Sequence, residues 1–161
     1  MKNLVVYYTW KGNTEVVAKE ISKSINGQLI KIEEVNQRGG FVSAALSAII
    51  GLKSKIKPIS HSMDEYDNIF IGGQIWAGHS TPAINAFVNK TDFKGKRVFL
   101  FITQANNKEP ANVIKSITER VKKHGGNVAK SFFIQTLMES VITPEAVKQP
   151  ISDWLKIINI K

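Results

Sequence analysis

Apolar residues recur along this chain in two rhythms. KNLVVYY, DNIFIGG and KRVFLFIT are short, almost uninterrupted apolar runs, the pattern of strands covered on both faces. QLIKIEEV alternates apolar and polar positions, as a strand near a sheet edge does, and NVAKSFFIQT is a fifth strand candidate. The second rhythm is helical. NTEVVAKEISKSIN carries Val16, Val17, Ile21 and Ile25 on one face with lysines and glutamates opposite, and Asn26-Gly27 stops it. TPAINAFVNKT opens with Thr81 as a cap and Pro82 at the first helical position. PANVIKSITERVKKHGG opens at Pro110 and closes at Gly125-Gly126. TPEAVKQPISDWLKIINI repeats the Thr-Pro opening at Thr143 and Pro144, and Pro150 is expected to bend or restart it.

Strands and helices therefore alternate, which predicts an α/β fold with a parallel sheet, helices on both faces and right-handed crossovers. The length suits one domain over residues 1–161, with no repeat or low-complexity linker. In such folds ligands bind at the carboxyl ends of strands, where the strand order reverses. The loops after the first, third and fourth strands are the ones to read for function. RGGFVSAALSAIIGLKSKIKP, within residues 36–60, reads as a small-residue covering helix flanked by loops. Its Phe41, Leu46, Ile49 and Ile50 adjoin Lys53, Lys55 and Lys57, which leaves a dimer surface or an anionic-membrane contact open.

Composition removes several chemistries. The 161 residues include no cysteine, so thiolate nucleophiles, Cys-ligated zinc and iron–sulfur clusters are excluded, and three scattered histidines argue against a His-rich metal site. The longest low-charge stretch, FVSAALSAIIGL, has 12 residues, short of the roughly 18 needed to span a membrane. With no secretory pattern at the N-terminus, a cytoplasmic location is expected. The formal net charge is +9, but the lysines are spread along the chain without an interleaved aromatic platform, so nucleic acid is not the expected partner.

The first loop holds Thr9, Trp10, Lys11, Gly12, Asn13 and Thr14 between a strand and a helix. Unpaired N–H groups at a helix N-terminus stabilise an anion, and Gly12 lets the backbone approach it. Asn13 as a plain helix cap explains the same residues. The second loop carries Gln74, Ile75, Trp76, Ala77, Gly78 and His79, with Trp76 placed to stack on a planar ring or to fill the core. The third supplies Thr103, Gln104, Asn106 and Asn107, amide and hydroxyl groups suited to the edge of a pyrimidine-like ring or to ordinary loop polarity.

Taken together, these segments resemble the flavodoxin-like family of FMN-binding proteins. VVYYTWKGNTEVVAKEI resembles the family's phosphate loop, T/S-x-T/S-G-N/T-T, and YDNIFIGGQIWAGHSTPAINAFV resembles its YDxIxxGxPIWxGxxPPxxxxFL segment. GKRVFLFITQ resembles the fourth strand, which leads into the third flavin loop. The resemblance implies a five-stranded, doubly wound parallel sheet in the order 2-1-3-4-5, with FMN at the switch point between strands one and three. It implies phosphate on the first loop and the isoalloxazine between the second and third, stacked on Trp76. The chain departs from the pattern at Lys11, where a hydroxyl residue is common, at Gln74, where proline is usual, and in TQANN, where relatives often have glycines.

FMN would perform the redox chemistry, and no side chain need act as acid, base or nucleophile. The expected function is electron carriage between partner proteins, with acidic partners suited to the basic chain. A small NAD(P)H-dependent oxidoreductase of the quinone-reductase type is the alternative. A flavin-free module binding a partner or another phosphate ligand is the rival from a different class.

Overall fold

Three strands rich in β-branched and aromatic residues form the centre of a parallel sheet: β1 (Asn3–Tyr7), β3 (Asn68–Trp76) and β5 (Arg97–Gln104). The computed structural model describes residues 1–35, 54–59, 62–137 and 139–160. Strand β2 (Gln28–Lys31) pairs with β1 on one side, and β6 (Asn127–Gln135) pairs with β5 on the other. The order is β2-β1-β3-β5-β6, all parallel; a two-residue strand β4 (His79–Ser80) pairs antiparallel with the end of β3. Leaving β4 aside, this is the 2-1-3-4-5 arrangement of the flavodoxin-like fold.

Alternation along the central strands divides the core into two layers. Leu4, Val6, Ile69, Ile71, Val98 and Leu100 face Ile84 and Phe87 of helix α2 (Pro82–Lys90) and Val113, Ile117 and Val121 of helix α3 (Ala111–Lys123). Val5, Tyr7, Phe70, Phe99 and Phe101 face Val17 and Ile21 of helix α1 (Asn13–Ser24) and Val147, Ile151 and Trp154 of helix α4 (Pro144–Ile157). Every strand residue named here is at most 3% exposed, which is why these runs read as continuously apolar. Burial and the nearby Glu15 charge push the Tyr7 phenol up to about 12, so it stays protonated within this layer.

Two local features differ from the reading of the sequence. Helix α4 runs unbroken through Pro150. Pro150 and Ala146 are both exposed, so the carbonyl that loses its N–H partner faces water, while Val147, Ile151 and Trp154 hold both halves of the helix to the sheet. Strand β3 does not stop at Gly72-Gly73 but continues to Trp76. These glycines are packing positions: a Cβ on Gly72 would lie 2.0 Å from the Phe101 ring, and one on Gly73 would lie 2.8 Å from Ile84 Cγ1. The covering helix expected near residues 38–58, with its dimer and membrane readings, lies largely outside the described residues. Residues 54–59 form neither a helix nor a strand, and Ile56 makes an isolated antiparallel bridge with Glu34.

Gly72→Ala is expected to overpack the sheet against Phe101 and destabilise the fold by about 1–3 kcal/mol. Urea unfolding measures this as a lower transition midpoint. An unchanged midpoint would show that Phe101 has room to move.

Candidate functional site

The carboxyl ends of β1, β3, β5 and β6 converge on one cleft of about 590 Å³, within the roughly 300–1,000 Å³ typical of small-molecule and cofactor sites. One wall is the loop between β1 and α1. Gly12 sits at φ +106°, a left-handed conformation that a side chain strains, and it is the N-cap of α1. The helix start has no side-chain cap, so its first-turn N–H groups can meet an anion. Gly12 N–H itself donates to Thr9 Oγ1 (3.0 Å), which tightens the loop.

Glu15 in the first turn of α1 would oppose an anion there if its charge stood alone. Lys19 Nζ lies 2.7 Å from one of its carboxylate oxygens and Lys31 Nζ lies 3.6 Å from the other. The hydrogen bond from Lys19, aided by both positive charges, holds the Glu15 carboxyl below its ordinary value. Glu15 is thus ionised and matched by two cations on its own flank of the loop.

A second wall comes from the end of β3. Ala77 (φ +47°) and Gly78 (φ +77°) form a two-residue hairpin between Trp76 and its partner His79, a turn with both central residues in the left-handed region. Gln74 Oε1 accepts the Trp10 N–H at 2.8 Å, fastening the first loop to this strand. The Trp76 ring meets Trp10 edge-on at 5.2 Å and 79°, and Tyr8 edge-on at 5.9 Å and 80°. Tyr8 is anchored in turn by its hydroxyl, which donates to Glu34 Oε2 (2.8 Å).

The third wall follows β5. Lys108 N–H donates to Asn106 Oδ1 (2.9 Å), and the Gln104 side-chain amide donates to the Lys108 carbonyl. The chain then enters α3, so Glu109, Pro110, Ala111, Asn112 and Val113 also line the cleft. A fourth contribution comes from Thr136 and Leu137, just beyond β6. Thr136 N–H donates to the Gln104 carbonyl (2.8 Å), and Gln135 Nε2 donates to the Ala105 carbonyl (2.9 Å).

The flavodoxin family model matches residues 51–154. The chain belongs to the flavodoxin family. The match covers the second and third loops and most of α4 but not the first loop, whose reading rests on the geometry given above. No curated protein matches the sequence significantly. Among solved structures, a Bacteroides uniformis protein assigned as a flavoprotein is 24% identical, with a TM-score of 0.79, covering 94% of this chain and 97% of that one. A Lactobacillus acidophilus flavoprotein in complex with FMN is 20% identical, with a TM-score of 0.68 and coverage of 94% and 98%. Oxidised Flavodoxin 2 from Bacillus cereus is 20% identical, with a TM-score of 0.58 and coverage of 97% and 99%. At these identities the likeness shows the fold.

Of the residues singled out in the sequence, Trp10, Lys11, Asn13, Gln74, Ile75, Trp76, Ala77, Gly78, Thr103, Gln104 and Asn106 line the cleft. Thr9, Gly12, Thr14, His79 and Asn107 are not part of that lining. Thr14 is fully buried, and its hydroxyl pairs with that of Thr103 at 2.8 Å. Thr9 faces a separate polar cleft with Tyr8, Lys31, Glu33, Glu34 and Lys57. His79 and Asn107 are exposed beside the cleft. Trp76, read in the sequence either as a stacking partner or as a core residue, is only 3% exposed because Tyr8 and Trp10 pack edge-on against it. Asn13 does not cap α1; as the first helical residue it turns its amide towards the chain beyond β6.

The lining also takes in Ala105, Lys108 to Val113, Thr136 and Leu137, which the sequence reading did not single out as binding residues. The position of Thr136 and Leu137 at the carboxyl end of the fifth parallel strand was the available signal. Among the described residues no group of acidic residues and histidines is arranged to hold a metal ion, and no helix is long and apolar enough to cross a membrane.

Asn13 Oδ1 accepts from Ile142 N–H (2.7 Å), and its Nδ2 donates to the carbonyls of Leu137 (3.3 Å) and Ser140 (3.5 Å). Asn13→Ala removes all three, at about 0.5–1.5 kcal/mol for each good hydrogen bond. Amide hydrogen exchange at Ile142 is expected to speed up severalfold while exchange in β5 is unchanged. Unaltered protection at Ile142 would mean that other contacts hold this segment.

Proposed function

We propose that the cleft binds FMN and that the protein carries electrons between partner proteins. The observation that supports this best is one cleft that takes in Lys11 and Asn13, at the uncapped start of α1, together with an aromatic wall of Trp10 and Trp76 5.2 Å ring to ring. An anion-binding end and a ring-binding wall are what a phosphorylated flavin requires of its site. The residues fit the group: the first-turn N–H groups of α1 and Lys11 would hold the phosphate, and Trp10, Gln74, Ile75 and Trp76 would border the ring. Gln104, Asn106 and Thr136 would offer hydrogen-bonding groups to its polar edge. Family membership and the FMN complex of the Lactobacillus acidophilus neighbour support the same reading.

When bound, FMN supplies the redox chemistry; the chain binds it, orients it and keeps one side of the ring from water. Trp76 and Ile75 exclude solvent on the β3 side, while the exposed hairpin tip at Ala77-Gly78 leaves the rim open to a partner. The net charge of +9 favours an acidic partner, with association slowing as salt rises. NAD(P)H as a direct reductant is the competing arrangement, separable by mixing the loaded protein with NADPH and following flavin bleaching.

Titration of the flavin-free protein with FMN and with riboflavin tests the proposal. FMN is expected to bind more tightly, since each hydrogen bond to the charged phosphate adds about 1.5–3 kcal/mol. Gly12→Val forces a side chain onto the +106° backbone and is expected to abolish the preference. Equal binding of the two flavins by the wild-type protein would remove the phosphate cradle, and no binding of either would remove the function.

A further inference from the structure

We infer that Trp10, from the phosphate-side loop, is the residue on which the flavin ring stacks, and that Trp76 is its buttress. This rests on the reading that the cleft holds FMN. Trp10 and Trp76 are the aromatic residues among those described that line the cleft, and their planes stand 79° apart. A flat ring lying face to face on one must meet the other edge-on, so the two cannot share the stacking role. Burial decides between them. Trp76 is 3% exposed, with Trp10 and Tyr8 each edge-on against it, whereas Trp10 is half-buried and belongs to the cleft wall.

The surroundings of Trp10 are those of a positioned platform. Its backbone N–H is held by Gln74 Oε1 at 2.8 Å, an acceptor that a proline at this position would not provide. Its ring leans on Trp76, which Tyr8 supports from another side, and Tyr8 is fixed through Glu34. Gln74, Trp76 and Tyr8 are positioning residues acting through Trp10. The departure from the family pattern at Gln74 and the tryptophan in the phosphate loop thus form one device.

The test uses the full chain labelled with 5-fluorotryptophan, whose three tryptophans give three fluorine resonances assigned by Trp10→Phe and Trp76→Phe. On saturation with FMN, stacking is expected to move the Trp10 resonance upfield more than that of Trp76, with Trp154 unmoved. Gln74→Leu should reduce the Trp10 displacement. Trp10→Leu is expected to weaken FMN and riboflavin by the same factor, about tenfold, and Trp10→Phe to restore most of the loss. A variant that only disordered the phosphate loop would instead weaken FMN more than riboflavin. A larger displacement at Trp76 than at Trp10, or a Trp10→Leu loss confined to FMN, overturns the inference while leaving FMN binding intact. Absence of flavin binding by the wild-type chain overturns both.

Discussion

The register of β3 against β1 determines the shape of the site. β1 ends at Tyr7, opposite Gly72, and β3 continues for four further residues to Trp76. The chain leaving β1 is thus held beside an extended strand: Tyr8 N–H donates to the Gly72 carbonyl, and Trp10 N–H donates to the Gln74 side chain. β5 keeps pace with β3, pairing Gln74 with Thr103. Gly72 and Gly73, the β3 residues beside the departing chain, have no Cβ to collide with the Phe101 ring of β5 or with Ile84 of α2. Packing deep in the sheet and the placing of the first loop are therefore one constraint.

The loops are braced before any ligand arrives. Asn13 ties the start of α1 to Leu137, Ser140 and Ile142; Thr14 and Thr103 join β5 to α1 from beneath; Gln135 and Thr136 tie the end of β6 to the loop after β5. Hydrogen bonds of this kind reduce the ordering that binding must otherwise impose. They give several polar residues of the loops partners within the chain. In the first loop Thr9 and Asn13 hold the backbone in place.

Much of the architecture was legible because the strands are buried on both faces and the helices carry amphipathic periods with Pro and Gly at their ends. The misreadings have particular causes. Gly72-Gly73 resembled a strand end because glycine usually punctuates turns; here it relieves a clash with residues from β5 and α2 that no local window contains. Pro150 suggested a bend or restart; no restart occurs, and its solvent-facing position is not evident from the sequence near it. Asn13 resembled a cap because its amide's partner, Ile142, lies 129 residues away. The burial of Trp76 needs Tyr8 and Trp10 folded against it, so the sequence left a stacking ring and a core ring as alternatives. The cleft lies at the carboxyl ends of the strands, and the rule that points there, applied to the fifth strand, includes Thr136 and Leu137.

We propose that the loops after β1, β3, β5 and β6 form a single binding surface. Mapping the backbone amides of the ¹⁵N-labelled chain by NMR during an FMN titration tests it most directly. Shifts are expected to concentrate at the N–H groups of Asn13 to Glu15, at Trp10 and Gln74, and at Gln104 to Asn106 and Leu137, saturating together at one FMN per chain. Shifts centred instead on Lys31 to Glu34 in the neighbouring polar cleft, with the start of α1 unperturbed, would contradict it.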